Sequence, residues 1–319
     1  MPASIPRVSP FTQAVVQAMR KLYPEKLADS SFDNTGLLLE APYRQQHLKN
    51  SVLLTVDLTK AVADEAINRG DSVIIAYHPI IFRPLKSLTQ ANSQQHSLLR
   101  LAQEGISVYS PHTAVDAVGL NEWLADIVTC SNEFGNPGAS KTTVHERSVI
   151  TPIKDAVEGF EGAGYGKIVR FRTPQKLGDI IGRITSGLVL PSLHVAVPQS
   201  VTADKSQIKI SSIGLCAGSG SMLNGLDVDL LFTGELSHHE ALAAIEQGKC
   251  VITTFHSNTE RLYLMTTMQN KLFPEIRKQI DASIKAGTWE QGLTMDFQID
   301  ASHVDRDPFE MVASHRKEW

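Results

Sequence analysis

Short apolar runs alternate with amphipathic stretches along the first part of this chain. SVLLTVDL (51–58), SVIIAY (72–77) and ISVYS (106–110) have the length and the aliphatic, β-branched content of buried strands. Between them, AVADEAINRG (61–70) and SQQHSLLRLAQEG (93–105) carry helical spacing and each closes on a glycine. A further helix begins at LNEWLADIV (120–128). The opening residues, MPASIPRVSPFTQAVVQAMRKLYP, are a proline-broken entry into an amphipathic helix with Val15, Val16, Met19 and Leu22 on one side. Strand–helix–strand order with continuous apolar strands predicts an α/β protein, its sheet mainly parallel with flanking helices.

The pattern changes after residue 130. A polar stretch, SNEFGNPGASKTT (131–143), is expected to be an exposed loop. KIVRFRT (167–173), LHVAVP (193–198) and QIKISSIGLC (207–216) then predict strands of a second sheet, with IIGRITSGL (180–188) helical between them. The first pattern resumes with the strand VDLLFTGE (228–235), a helix over 237–247, the strand CVITTF (250–255) and a helix from about Glu260. Two lobes follow, 1–130 and 131–319, with the last third returning to complete the site.

Composition narrows the class. The chain has 319 residues, 42% hydrophobic and 20% charged, which is ordinary for a globular protein. A net charge of −4 provides no overall basic field for nucleic acid, and no DNA-binding motif is present. The three cysteines (Cys130, Cys216, Cys250) are odd in number and lack C-x-x-C spacing, which points to a reducing compartment and away from a zinc ribbon. No secretory signal order and no apolar run of about 20 residues is present, so the expected location is cytoplasmic, with a nuclear share left open.

The chemistry collects where strands end. Of eleven histidines, His78, His112, His238, His239 and His256 lie just beyond the carboxyl ends of predicted strands, the edge where α/β sheets gather ligands. Asp116, Glu235 and Glu260 join them there. His112–Asp116 and His256–Glu260 are each four residues apart, so in a helix or tight turn each pair shares a face and can reach one ion. Imidazole and carboxylate without thiolate suit Zn, Fe, Mn, Ni or Co. Each histidine taken alone is more often a cap or core residue than a ligand, and the four placements together leave the metal and structural readings evenly open. GAGYGK (162–167) is rejected as a phosphate loop because Ile168 follows the lysine. AGSGSML (217–223) is read as a tight turn before an anion cradle.

These motifs resemble the NIF-three-like family (domain of unknown function 34; GTP cyclohydrolase I type 2 homologues). The resemblance is carried by FDNTGLLL (32–39), LLTVDLT (53–59), IIAYHPIIF (74–82), VYSPHTAVDAV (108–118), LCAGSGS (215–221), LFTGELSHHEAL (231–242) and FHSNTER (255–261). VDRDPF (304–309) is similar to the eukaryotic branch. The resemblance implies a two-lobed subunit, a homo-hexamer and a centre of two divalent metal ions on His78, Asp116, His256 and Glu260, with His112 in or beside it. The family's motif opens with two adjacent histidines; here the first position is Tyr77. A phenol, of pKa about 10, is a poor ligand, which leaves the second ion weakly held or open to water.

The resulting functional expectation is a metal-dependent hydrolase of a small nucleotide-like or phosphorylated substrate, with Glu235 or His239 as general base. Two alternatives stand beside it. One is an interaction protein with structural metals and a transcriptional partner, or one that handles metal. The other is a GTP cyclohydrolase-like ring opening, ranked lower because nothing in the sequence reads guanine.

Overall fold

The apolar runs of the first third form the middle of a five-stranded sheet in a computed structural model, which describes residues 8–43, 48–131, 143–155, 157–289 and 294–312. The chain divides into two compact units, each assembled from separate stretches. The first comprises Met1–Leu120, Thr151–Tyr165 and Arg261–Asp305; the second comprises Asn121–Ile150, Gly166–Glu260 and Arg306–Trp319. Both units are mixed α/β.

In the first unit, β1 (Gly36–Leu39), β2 (Ser51–Thr55), β3 (Val73–Ala76), β4 (Ser107–Ser110) and β11 (Gln298–Ala301) lie in the order β1-β4-β3-β2-β11. β11, β2, β3 and β4 run parallel, and β1 closes the edge antiparallel to β4. Every residue of β2, β3 and β4 is buried, as expected of strands covered on both faces. The crossovers are α2 (Lys60–Arg69) and α3 (Ser93–Glu104), which end on left-handed Gly70 and Gly105. Leu53, Ile74, Val62, Ala66, Leu98 and Leu101 share one core cluster. Truncating one of its leucines to alanine costs about 2–5 kcal/mol.

α1 (Pro10–Leu22), capped by Ser9, packs along α9 (Gln269–Lys285). Phe297 joins them, with ring centroids 5.9 Å from Phe11 and 4.7 Å from Phe273. The helix expected from about Glu260 is broken in the structure. A single turn, α8 (Arg261–Tyr263), passes through a π turn over Leu264–Met268 before α9 begins. Tyr263, buried there, shares a 2.9 Å hydroxyl–hydroxyl hydrogen bond with Tyr23, and burial pushes the Tyr23 phenol up to about 12.

The second unit carries a six-stranded sheet, ordered β5-β6-β8-β9-β10-β7. Its strands are β5 (His145–Pro152), β6 (Gly164–Lys176), β7 (His194–Ala196), β8 (Lys209–Leu215), β9 (Leu230–Thr233) and β10 (Cys250–Thr253). β8, β9 and β10 are parallel, while β6 and β7 pair antiparallel to β8 and β10. This sheet therefore draws on the last third as well as the middle segment. β1, β5 and β11 are strands that hydrophobic pattern did not announce: β5 and β11 alternate in burial weakly, and β1 has one buried residue in four. α5 (Asn121–Thr129) and α6 (Leu177–Leu188) meet where a side chain on Gly187 would fall 2.6 Å from Ile127. α7 (His238–Glu246) follows β9 and occupies the helix expected there, its N-cap at Ser237. Residues 132–142 of the expected loop lie outside the described residues. Among the described residues no helix is long and apolar enough to cross a membrane.

Candidate metal-donor site

In the first unit the donors stand on the loops that leave β2, β3 and β4. Backbone N–H groups of Tyr77 and His78 donate to Thr55 and Val56, and that of His112 to Tyr77, so the three loops are tied together. Asp57, two residues past the end of β2, lies 2.9 Å from Nδ1 of His78. Asp33 lies 2.7 Å from Nδ1 of His112 and accepts further hydrogen bonds from the backbone and hydroxyl of Thr113 and the hydroxyl of Thr35. Burial opposes a charge on Asp33, but the bonds from His112, Thr113 and Thr35 outweigh it and bring its carboxyl down to about 2.

His112 is held at φ 34 and ψ −118, a conformation that costs about 1–3 kcal/mol and persists only where surroundings over-determine it. Asp33 and the Tyr77 carbonyl supply that constraint. α4 (Thr113–Val115) is a single turn, and Asp116 closes it at the head of a π turn, Asp116–Leu120. Asp116 accepts a 2.6 Å hydrogen bond from the Tyr77 hydroxyl. Burial raises its carboxyl above the usual range, opposed by the Tyr77 bond and by His112 and His78. Such a carboxylate is stabilised by a nearby cation.

In the second unit the donors leave β9 and β10. Phe255 takes φ 67, which turns the chain into a 3-10 turn, Ser257–Thr259, flanked by His256 and Glu260. Asp307, within the VDRDPF stretch, anchors that turn by accepting from the hydroxyl of Ser257 at 2.7 Å and from its N–H. The four-residue interval thereby sets His256 Nε2 3.4 Å from Oε1 of Glu260, whose side chain is 1% exposed. His256 Nδ1 lies 2.8 Å from Glu235 Oε1. In the tautomer that donates from Nδ1 to Glu235, the imidazole turns the Nε2 lone pair toward a carboxylate oxygen, an arrangement that a cation between the two stabilises. Donors at about 2.1 Å in tetrahedral coordination are themselves about 3.4 Å apart, so the pair fits a zinc-like ion.

Gly218 keeps that position open. It sits at φ +60, and a β-carbon there would lie 2.8 Å from His256 Nε2 and 2.9 Å from Glu260 Oε1. Its N–H donates to Thr259 and its carbonyl accepts from Thr233 and the backbone of Glu235. The N–H groups of Ala217 and Gly220 are likewise engaged, with Asn121 and the Glu235 carbonyl. AGSGS is thus a tight turn that shapes the His256–Glu260 pair, and these amides are not turned toward an anion.

The remaining predicted residues fall as follows. Glu235 is exposed and orients His256. His239 is exposed on the first turn of α7, its ring edge-on to His238 at 5.3 Å. His78 in the first unit and His256 and Glu260 in the second each offer a ligand atom suited to a divalent ion. Asp33, Asp57 and Gly218 were not singled out from sequence. Asp57 had a legible signal, a carboxylate just past a buried strand; Asp33 and Gly218 stand in motifs that show their role only in three dimensions.

The comparisons bear on the fold and the family. The profile of the DUF34/NIF3 family (NGG1p interacting factor 3) matches residues 11–287. The chain is 45% identical over 273 residues to a protein NIF3 homolog of Schizosaccharomyces pombe, covering 84% of this chain and 91% of that one. It is 40% identical over 272 residues to the NGG1-interacting factor 3 of Saccharomyces cerevisiae, covering 82% and 90%. Among solved structures, a hypothetical protein of Staphylococcus aureus has the same fold with a TM-score of 0.67 at 23% identity, covering 93% and 98%. HcgD of Methanocaldococcus jannaschii aligns with a TM-score of 0.57 at 18% identity, covering 90% and 96%. This chain belongs to the DUF34/NIF3 family, on the branch of its yeast, fly and human relatives.

Proposed function

We propose that the chain binds divalent metal through His78, Asp116, His256 and Glu260, with His112 beside them, and acts as a hydrolase on a small nucleotide-like or phosphorylated molecule. The observation that carries the reading is the His256–Glu260 pair, 3.4 Å apart with Glu235 on the other imidazole nitrogen. His78 and His112 repeat the motif, each with Nδ1 on a carboxylate, and carboxylate-held imidazole is the usual form of a ligating histidine. A bound divalent ion lowers the pKa of water toward neutrality and so supplies hydroxide.

The chain's own residues have separable parts in this reading. Asp57, Asp33 and Glu235 hold the imidazoles in one tautomer. Asp116 adds a buried carboxyl that a bound cation would hold ionised, and Tyr77 holds one of its oxygens. The general base is either Glu235, whose side chain is 55% exposed, or His239 on α7. The ions number two by family resemblance, with Tyr77 weakening the second. Purified protein analysed for metal content, then screened against phosphoesters and nucleotides, tests the reading. Metal that is lost in Glu260→Ala and hydrolysis that is lost in Asp116→Ala support it; metal content unchanged in Glu260→Ala sinks it. Purine ring opening is read in the same screen.

A second reading follows from the yeast relative, which is named as an interacting factor. Here the metals are structural, and the chain, as a cytoplasmic homo-hexamer with a nuclear share, binds a protein partner. A screen without turnover across several metals, with mass measurement of the assembly, favours this reading.

A further inference from the structure

Phe32 and Phe82 are large apolar side chains left 52% and 45% exposed, yet they are not scattered. Their rings lie 6.3 Å apart, and both meet His112 edge-on, at 6.5 and 6.4 Å. Their backbones are tied. Asp33, next to Phe32, is gripped by His112 and Thr113, and the Asn34 side chain donates to the carbonyl of Ile81, next to Phe82. The two rings are therefore presented at a set separation, with little ordering left for a ligand to impose. Water-exposed aromatic faces beside a polar donor cluster gain most from a flat apolar ligand with polar edges. Arg83 and Lys86 follow Phe82 within four residues on an exposed stretch, so two positive charges are carried by the same loop.

We infer that Phe32 and Phe82 form a ring-binding platform beside His112 that takes the heteroaromatic base of a nucleotide-like anion, with Arg83 and Lys86 drawing in its phosphate. This rests on the proposed reading of the adjoining donors as a small-molecule site and names the substrate class. An aliphatic phosphoester has no face to offer the platform and binds through charge alone.

Isothermal titration of the full-length, metal-loaded protein with AMP and with ribose 5-phosphate tests this. AMP binds about tenfold tighter or more, the value of one base stacked on an aromatic side chain. The Phe32→Ala/Phe82→Ala variant loses that advantage, while Phe82→Trp retains it. Arg83→Ala/Lys86→Ala weakens AMP and leaves adenosine unchanged. Equal affinity for AMP and ribose 5-phosphate, or AMP binding unaltered by loss of both phenylalanines, overturns the inference. Metal analysis of the same samples separates the two readings. Protein that holds metal but binds neither probe loses the platform and keeps the metal site. Protein without metal that still prefers AMP through Phe32 and Phe82 keeps the platform and loses the metal site.

Discussion

The hydroxyl of Tyr77 donates a 2.6 Å hydrogen bond to Oδ1 of Asp116. Tyr77 is only 2% exposed, and burial pushes the Asp116 carboxyl upward. Tyr77 thus uses one oxygen of a proposed metal ligand. Tyr77→Phe removes the donor and leaves a buried acceptor, a loss of about 1–3 kcal/mol measurable by denaturant unfolding. Tyr77→His exchanges the phenol for a ligand and raises bound metal in elemental analysis. Unchanged metal content in Tyr77→His shows that Tyr77 does not limit metal binding at the proposed site.

In the proposed metal site Glu235 acts through His256, 2.8 Å from its Nδ1. Glu235→Gln keeps a hydrogen-bond acceptor but removes the charge that fixes the imidazole tautomer, and chelator competition should show affinity lower by about 10–100-fold. Asp57→Asn acts the same way on His78. Affinity equal to wild type in both variants rules out their orienting role.

Gly218 offers a test that separates strain from obstruction. Gly218→Ala places a β-carbon 2.8 Å from His256 Nε2, whereas Gly225→Ala, at φ +78, meets nothing within 4 Å. Both pay for the left-handed backbone with about 1 kcal/mol. Only Gly218→Ala should also lose metal. Equal metal content in the two variants contradicts a metal position at the His256–Glu260 pair.

The N-terminus of α7 gives a pH dependence. Glu240 and Ser237 cap it reciprocally, and the hydrogen bonds from Ser237 and Asn224 bring the Glu240 carboxyl down from 4.5 to about 2. Because the folded value is the lower one, the stabilisation is present above pH 4.5 and is lost as pH falls through about 2. Glu240→Gln should therefore melt below wild type at pH 7, with the gap narrowing below pH 4.5. Ser237→Ala should cost about 1 kcal/mol. A Glu240→Gln gap that is constant from pH 7 to 3 excludes the charge as its cause.

Much of the sheet architecture is local in origin. β2, β3 and β4 are continuous apolar runs because both faces are covered, and α2 and α3 stop at glycines, so one-dimensional pattern suffices for them. β1 and β11 are edge strands with few buried residues, and β5 is half exposed. Pairing rather than burial makes them strands, and pairing partners are distant in sequence. Each unit is likewise assembled from stretches distant in sequence, which no local pattern encodes.

By itself the sequence determined the residue types at the strand ends and the four-residue spacing of His256 and Glu260. That spacing brings the two within 3.4 Å because any tight turn, 3-10 as well as α, returns the chain after about one turn. Only the tertiary structure decided which carboxylate faces which imidazole. Asp33 meets His112 from 79 residues away, Asp57 meets His78 from 21 and Glu235 meets His256 from 21. Hydrogen-bond partners at such separations are chosen by strand order and loop packing, which no local pattern encodes. The same holds for Tyr77 and Asp116, 39 residues apart, where a substitution visible in the sequence acquires its chemical meaning from a single hydrogen bond.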